Sequence, residues 1–352
     1  MSAIAARVLA WFDRHGRHDL PWQHPRSAYR VWISETMLQQ TQVATVIPYF
    51  LRFVDELPDI AALAGAPLDQ VLALWSGLGY YSRARRLHDA AKACMRDHGG
   101  ELPRDFDALL GLPGIGRSTA GAILSLAHGL PWPILDGNVR RLLCRHRGVH
   151  GWPGSAATQK QLWRIAEDAL PEARVADYTQ ALMDLGATVC TPSSPDCEAC
   201  PLREDCIALH DDVVAWLPER KPAKPLPERE TFALVVRDHE GRILLQRRPP
   251  TGVWALLWSL PEARDPDDAQ AWLARHAHVH DHEVLPEIPH VFSHYRLCIR
   301  PLLWRDARAR DAIGDNADLR WQACDALDDI GLPAPIRKLI EGLPRCRAPS
   351  SA

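Results

Sequence analysis

Two periodicities divide this chain. Up to about residue 215, apolar residues return every three or four positions, the spacing of one helix face. The opening MSAIAARVLAWFDRHG predicts an amphipathic helix. So does VWISETMLQQTQVATVIPYF, Val31 to Phe50, read as one helix with Ser34 in its first turn and a polar QQTQ stretch suited to lining a groove. Beyond the midpoint the pattern changes. TFALVVRDHEGRILLQRR reads as a hairpin, with strands Phe232 to Val236 and Ile243 to Gln246 and Gly241 in the turn. A second strand-rich run starts at His290, and helices are expected from Asp267 to His276 and from Pro335 to Glu341. Between the two regimes lies WLPERKPAKPLP, whose four prolines make a stiff, extended connector. The expected layout is therefore an all-α domain over 1–215, a linker over 216–228 and an α+β domain over 229–345.

The first domain is organised around Leu109 to Asn138, LLGLPGIGRSTAGAILSLAHGLPWPILDGN. A short helix runs up to Leu110. A turn follows from Gly111 to Gly116, and then a second helix with Ala120, Ile123, Leu124 and Ala127 at helical spacing, giving a hairpin over about 109–127. Gly114 and Gly116 let the backbone turn sharply and leave amide N–H groups bare at the start of the second helix. Such a start attracts anions, and a nucleic-acid phosphate fits it without any basic side chain. A turn rich in Gly and Pro between helices is by itself usually only a turn. The order LPGIG followed by a small-residue helix resembles the helix-hairpin-helix of the DNA glycosylase superfamily that includes endonuclease III.

Composition narrows the classes. The 352 residues suffice for two domains, and 47% hydrophobic with 24% charged residues describes a soluble globular chain. The N-terminus lacks the pattern of a signal peptide, and no apolar run approaches the ~18 residues of a membrane span. A cytosolic protein is expected. The net charge of −3 and pI of about 6.6 exclude a globally basic binder, and residues 1–215 are themselves slightly acidic. Any DNA contact must rest on helix starts and on local runs such as Arg83-Ala84-Arg85-Arg86 and Arg140-Arg141, although such runs are mostly solvated faces.

Two carboxyls carry candidate chemistry. Glu35 has Val31 and Trp32 one turn behind it and Leu38 one turn ahead. A carboxyl so flanked is drawn out of water, which raises its pKa, unless it merely sits at a helix start. Asp136 stands just before a helix from Val139 to Arg147, an ordinary capping position whose N–H groups keep a carboxylate ionised. A protonated acid beside an anion is the pairing that glycosidic cleavage uses: one protonates the leaving group and the other stabilises a cationic sugar. The sequence does not show that the two meet in space. A further turn, Gly77-Leu78-Gly79, presents Leu78, Tyr80 and Tyr81 ahead of an Arg-rich helix. It suits insertion into a base stack, or else packs its aromatics into the core.

Residues 190–206, CTPSSPDCEACPLREDC, place Cys190, Cys197, Cys200 and Cys206 at C-x6-C-x2-C-x5-C. In a reducing compartment these are metal ligands and not disulfides. A tetrahedral zinc and an iron–sulfur cluster both take four thiolates, and the spacing matches neither common ferredoxin pattern.

Taken with the hairpin, the cysteine loop resembles the [4Fe–4S] loop of endonuclease III-like glycosylases. The segments LPWQ, SETMLQQTQVATVIPYF, LWSGLGYYSRAR, LPGIGRSTAGAILSL and PILDGNV extend the likeness over nearly the whole chain to the MutY family of adenine DNA glycosylases. The resemblance implies a multidomain chain. An all-α helix-hairpin-helix glycosylase domain with a [4Fe–4S] loop is followed by an α+β Nudix-like domain. The implied activity is base excision repair on duplex DNA, releasing adenine mispaired with 8-oxoguanine or guanine, by a monomer working on the nucleoid. In such enzymes the adenine is flipped into a pocket. Glu35 would then be the acid and Asp136 the anion that stabilises or traps the sugar cation, with Asn138 holding that region. Ser118 falls where bifunctional relatives carry a Schiff-base lysine, so strand cleavage is not expected. Cys190, Cys197, Cys200 and Cys206 would hold the cluster, and Gly114 and Gly116 would face phosphate. Gln40, Thr41, Leu78 and Tyr80 would contact the lesion pair, and Trp22 would edge the adenine pocket. In the second domain Phe292, Ser293 and His294 would read 8-oxoguanine. The Glu-dense helix of a working Nudix hydrolase is missing, since VWALLWSLPEAR carries Glu262 alone. That domain should bind and not hydrolyse. A bifunctional lyase, a non-catalytic damage sensor and a nucleotide hydrolase are the competing classes.

Overall fold

The computed structural model describes residues 3–221, 225–310 and 318–343. By internal contacts the chain forms two compact units, 1–65 with 86–223 and 66–85 with 224–352. The expected layout put 66–85 in the first domain. Its partners are in the C-terminal part instead: Asp69 forms a two-point ion pair with Arg247 at 2.8 and 2.9 Å, and the Tyr81 hydroxyl donates to the Leu332 carbonyl at 2.9 Å. Residues 222–224 of the linker, and 344–345 at the end of the second domain, lie outside the described residues.

In chain order the helices of the N-terminal half are α1 (Ala3–His15), α2 (Ala28–Leu38), α3 (Val43–Glu56), α4 (Ile60–Gly65), α5 (Leu68–Leu74), α6 (Ser82–Asp97), α7 (Phe106–Gly111), α8 (Arg117–Ala122), α9 (Gly137–His146), α10 (Ala156–Asp168), α11 (Val175–Thr188) and α12 (Ile207–His210). The single helix expected from Val31 to Phe50 is two, α2 and α3. Ser27 caps α2 by accepting the Arg30 N–H at 3.2 Å. After Leu38 the polar Gln39-Gln40-Thr41-Gln42 offers no apolar face to bury. Gln40 turns to φ 60°, and the Thr41 N–H closes on the Leu38 carbonyl at 3.2 Å. The hairpin is present as α7, a turn and α8, but α8 passes into one π turn, Ile123–Ala127, and does not continue as α-helix. The long buried α11 packs on α1, α9 and this π turn. Its Asp184, wholly buried, is satisfied by Gln180 and by the backbone N–H and guanidinium of Arg17.

The second unit is a mixed sheet with a helix on each face. Its strands are β1 (Glu228–Asp238), β2 (Ile243–Arg247), β3 (Trp258–Ser259), β4 (Glu262–Ala263), β5 (Ala277–His278), β6 (His282–Val284), β7 (Ile288–Val291), β8 (Arg296–Ala309) and β9 (Leu319–Gln322). The expected hairpin forms as β1 and β2, with Gly241 at φ 83° in the turn. The long strands β1 and β8 run parallel, from Glu228 opposite Arg296 to Val236 opposite Trp304. Residues of β1 alternate between two cores, which explains its unbroken apolar run. Ala233 and Val235 join Ile336 and Ile340 of α14 (Ala334–Glu341), while Leu234 and Val236 join Trp272 and Leu273 of α13 (Pro266–His276).

Candidate active site and nucleic-acid interface

Helix α2 carries Glu35 among Val31 and Trp32, which are 2% and 1% exposed. Burial lifts its carboxyl to about 8, and the charge of Asp136 adds to the rise. The charge of Asp136, about one hundred positions further along the chain, thus bears on Glu35.

Asp136 caps α9. Its Oδ1 accepts the Val139 N–H at 2.9 Å and its Oδ2 the Asn138 N–H at 3.3 Å. The sequence predicted that this helix start would hold Asp136 ionised, with its pKa moving opposite to that of Glu35. The structure corrects the direction. Burial raises Asp136 as well, against the pull of the two N–H groups, Arg141 and Arg140. The asymmetry lies in the partners: Asp136 has donors and cations that favour its anion, whereas burial and the charge of Asp136 both favour the neutral form of Glu35. Each of these partners favours the anion of Asp136 against its burial.

Ser118, in the first turn of α8, accepts the Leu135 N–H on its Oγ at 3.0 Å and so holds the residue before Asp136. Two glycines bring backbone close to the same loop. A Cβ on Gly121 would lie 2.2 Å from the Pro133 carbonyl oxygen, and one on Gly186 would lie 2.6 Å from Asn138 Cβ. Asn138 Oδ1 accepts Arg141 Nη2 at 3.0 Å, and the same guanidinium donates to the Gly186 and Cys190 carbonyls at 2.6 and 2.7 Å. One turn on, the buried Arg145 donates to the carbonyls of Thr191, Pro192, Val214 and Leu217 and lies 3.5 Å from Cys190 Sγ. Sequence reasoning grouped Arg140-Arg141 with candidate DNA contacts and missed Arg145. The available signal was their i, i+4 spacing on the helix preceding a thiol-rich loop, where guanidinium forks find carbonyls. Arg83, from the other basic run, is also buried.

Cys190, Cys197, Cys200 and Cys206 line one cavity with Leu142, Val189, Leu202 and Leu209. Among the described residues no three Cys, His, Asp or Glu side chains close around a single ion. Four thiols around one shared space supply the full thiolate set that a polynuclear cluster takes.

In the hairpin, Gly114 adopts φ 81°, and a Cβ there would lie 2.8 Å from Arg86 Cβ, so glycine is needed twice over. Gly116, at φ −93°, caps α8 and needs no special backbone freedom. Trp22 is buried, edge-on to Phe50 at 5.4 Å. Gln40 is exposed and Thr41 half-buried at the break between α2 and α3.

The remaining sequence-predicted contacts belong to the second unit. Of the turn residues expected to be presented together, Tyr80 is 48% exposed, but Leu78 and Tyr81 are each 6% exposed, their apolar surface taken up in the core. Phe292, Ser293 and His294 form the turn between β7 and β8. Ser293 and His294 are exposed, and Phe292 is backed by the rings of Trp254, His290 and Tyr295. Glu262 is paired with Arg248 and so is not a free carboxylate for a cation.

Comparisons with known proteins agree with this arrangement. Residues 33–168 match the HhH-GPD superfamily of base excision DNA repair proteins, residues 190–206 the iron-sulfur binding domain of endonuclease III, and residues 232–342 the NUDIX domain. The chain is 38% identical to the adenine DNA glycosylase of Buchnera aphidicola subsp. Acyrthosiphon pisum, over 95% of each chain. It belongs to the adenine DNA glycosylase family. The human adenine DNA glycosylase is 36% identical over 84% of this chain and 66% of its own length. A thermostable thymine-DNA glycosylase structure superposes with a TM-score of 0.54 at 28% identity, over 59% of this chain and 95% of that one. A non-covalent endonuclease III–DNA complex shares the fold, with a TM-score of 0.50 at 23% identity over 59% of this chain and 94% of that one.

As a member of that family the chain is a DNA N-glycosylase of base excision repair that removes adenine from DNA, and its 190–206 loop binds a [4Fe–4S] cluster. The cavity bordered by the four cysteines fits that group. Among the described residues no helix is long and apolar enough to cross a membrane.

Proposed function

We propose that this enzyme releases adenine mispaired with 8-oxoguanine or guanine in duplex DNA and leaves the strand intact. The observation that carries the reading is the coupling of Glu35 to Asp136, with Glu35 raised to about 8. The rise of Glu35 to about 8 keeps its proton at neutral pH, and the reaction needs Asp136 as the anion, the form that its N–H donors and Arg141 and Arg140 favour. The adenine swings out of the stack, and Glu35 gives its proton to the departing base as the bond to the sugar breaks. Asp136 stabilises the cationic sugar. Glu35, now a carboxylate, takes a proton from the water that adds to the sugar, and returns to its starting state. Asn138 supports the Asp136 loop through Arg141.

The Ser118 hydroxyl is spent on the Leu135 N–H and offers no amine, so no imine with the sugar forms and no lyase step follows. The cluster, held by Cys190, Cys197, Cys200 and Cys206, cross-links the 190–206 loop. With four thiolate ligands it leaves no open position for chemistry.

Gly114 and Gly116 receive a phosphate at the hairpin. Trp22, Gln40, Thr41, Leu78 and Tyr80 surround the mispair, and Leu78 must leave its buried position to do so. Phe292, Ser293 and His294 read the 8-oxo group and the N7 hydrogen of the opposite base. The domain over 229–345 binds the lesion without hydrolysing nucleotides, and the enzyme works as a monomer on the nucleoid. Duplexes holding A opposite 8-oxoguanine, G or T test the reading. Free adenine should appear in the first two without nicks, and adenine from A:T or nicks without heat or alkali would reject it.

A further inference from the structure

Tyr80 stands at φ 49°, in a turn whose Gly77 and Gly79 also have positive φ, 107° and 71°. A non-glycine residue in this region persists only where its surroundings impose it. Locally they do. Trp75 Nε1 and Arg83 Nη2 both donate to the Gly79 carbonyl at 3.2 Å, and the Arg83 guanidinium lies 5.4 and 5.6 Å from the Trp75 and Tyr80 rings.

The turn is in turn fastened to residues far along the chain but in the same unit. The Leu332 carbonyl accepts both the Tyr81 hydroxyl at 2.9 Å and the Ser76 hydroxyl at 3.3 Å, while Tyr81 OH accepts the Gly77 N–H at 3.3 Å. Asp69, on α5, meets Arg247 at two points and accepts Trp258 Nε1 at 3.4 Å. Gly331 approaches so near that a Cβ on it would lie 2.8 Å from Leu72 Cβ. Leu332 and Trp258 belong to the buried core that includes Tyr295, and Phe292 packs against that core. The anchors of the Tyr80 turn and the support of the Ser293-His294 turn are therefore one packed body.

We propose that Tyr81, Ser76 and Asp69 are positioning residues for lesion discrimination. They hold exposed Tyr80 at a fixed distance from Ser293 and His294, so that wedge and reading loop reach one base pair together. This rests on the 8-oxoguanine reading above. An 8-oxoguanine differs from guanine by one oxygen and one N–H, and hydrogen bonds to such groups weaken within a few tenths of an ångström and tens of degrees. Loosening the anchorage should blunt discrimination while sparing the chemistry of Glu35 and Asp136.

The test compares full-length wild type with the double variant Tyr81→Phe/Ser76→Ala. Single-turnover adenine release is measured from A:8-oxoguanine and A:G duplexes, alone and in a Tyr80→Ala background. The wild-type preference for A:8-oxoguanine should fall about ten-fold or more, the scale of the three hydrogen bonds lost with the two hydroxyls. The A:G rate should change less than about two-fold, and the double variant should add nothing once Tyr80 is Ala. Arg247→Lys, which keeps charge but loses the two-point geometry, should reproduce the loss if the double variant proves unstable. An unchanged preference in a folded variant, or an equal loss on both duplexes that adds to Tyr80→Ala, overturns the inference. A wild-type enzyme with no preference rejects the underlying reading and the inference with it.

Discussion

The Ser118 hydroxyl holds the Leu135 N–H at 3.0 Å, one residue before the Asp136 carboxyl. The side chain proposed to deny a lyase step its amine thus also holds the loop before Asp136. Ser118→Ala should leave the Leu135 N–H unpaired at a cost of about 1–3 kcal/mol. Adenine release should slow about ten-fold or more, with DNA binding nearly unchanged. Single-turnover rates and a binding titration on the same duplex check this.

Glu35 must carry a proton to act as the acid. Single-turnover release should therefore be flat from pH 6 to 7 and fall as pH rises through about 8, and Glu35→Gln should show no release at any pH. Stability has a related profile. The folded pKa lies above the ordinary 4.5, so the folded state keeps the proton longer than the unfolded chain does. Relative stability is highest below about 4.5 and declines as pH rises toward about 8. The Tm advantage of Glu35→Gln over wild type should grow across that window, and a constant difference would contradict the burial of this carboxyl.

Arg141 links Asn138 to the carbonyls of Gly186 and Cys190. Arg141→Met would strip all three of their donor. Both adenine release and cluster retention should fall, the latter read as visible absorbance per protein. Arg141→Lys should recover little, because an ammonium cannot reproduce the fork. Loss of cluster with full activity would separate the two ends of α9.

The close approaches at Gly121 and Gly186 leave no room for a methyl group. Gly121→Ala and Gly186→Ala should each destabilise by about 1–3 kcal/mol, as overpacking does, and displace the Asp136 loop. Thermal unfolding and release rates should fall together. Gly116→Ala, with nothing within 4 Å of the added Cβ, should be far milder.

Much of this was legible in the residues. The flanking of Glu35 by Val31, Trp32 and Leu38 raised withdrawal from water as one of two readings, and the Asp136 position pointed to its cap. The two apolar runs on either side of Gly241 showed the hairpin of β1 and β2. The break at Gln40 was not legible, because a polar stretch inside a helix and a turn between two helices have the same composition. Nor was the upward shift of Asp136: capping is local, but desolvation depends on which distant elements cover the site. Arg140-Arg141 looked like a local charge run and Arg145 drew no notice, because the acceptors of Arg141 and Arg145 are carbonyls, which no side-chain pattern advertises. Segment 66–85 joins the C-terminal unit through Asp69–Arg247 and Tyr81–Leu332, pairings about 180 and 250 positions apart.

That last membership bears on dissection of the enzyme. Because 66–85 is interposed within the N-terminal sequence yet built on the C-terminal one, no single cut separates the units cleanly. A fragment stopping at the proline-rich connector keeps α5 but loses Arg247, Gly331 and Leu332 beneath it, and so exposes Leu72 and an unmatched Asp69. Activities measured on such a truncated piece would mix loss of the C-terminal unit with loosening of the 66–85 segment, and only interior substitutions keep those two losses apart.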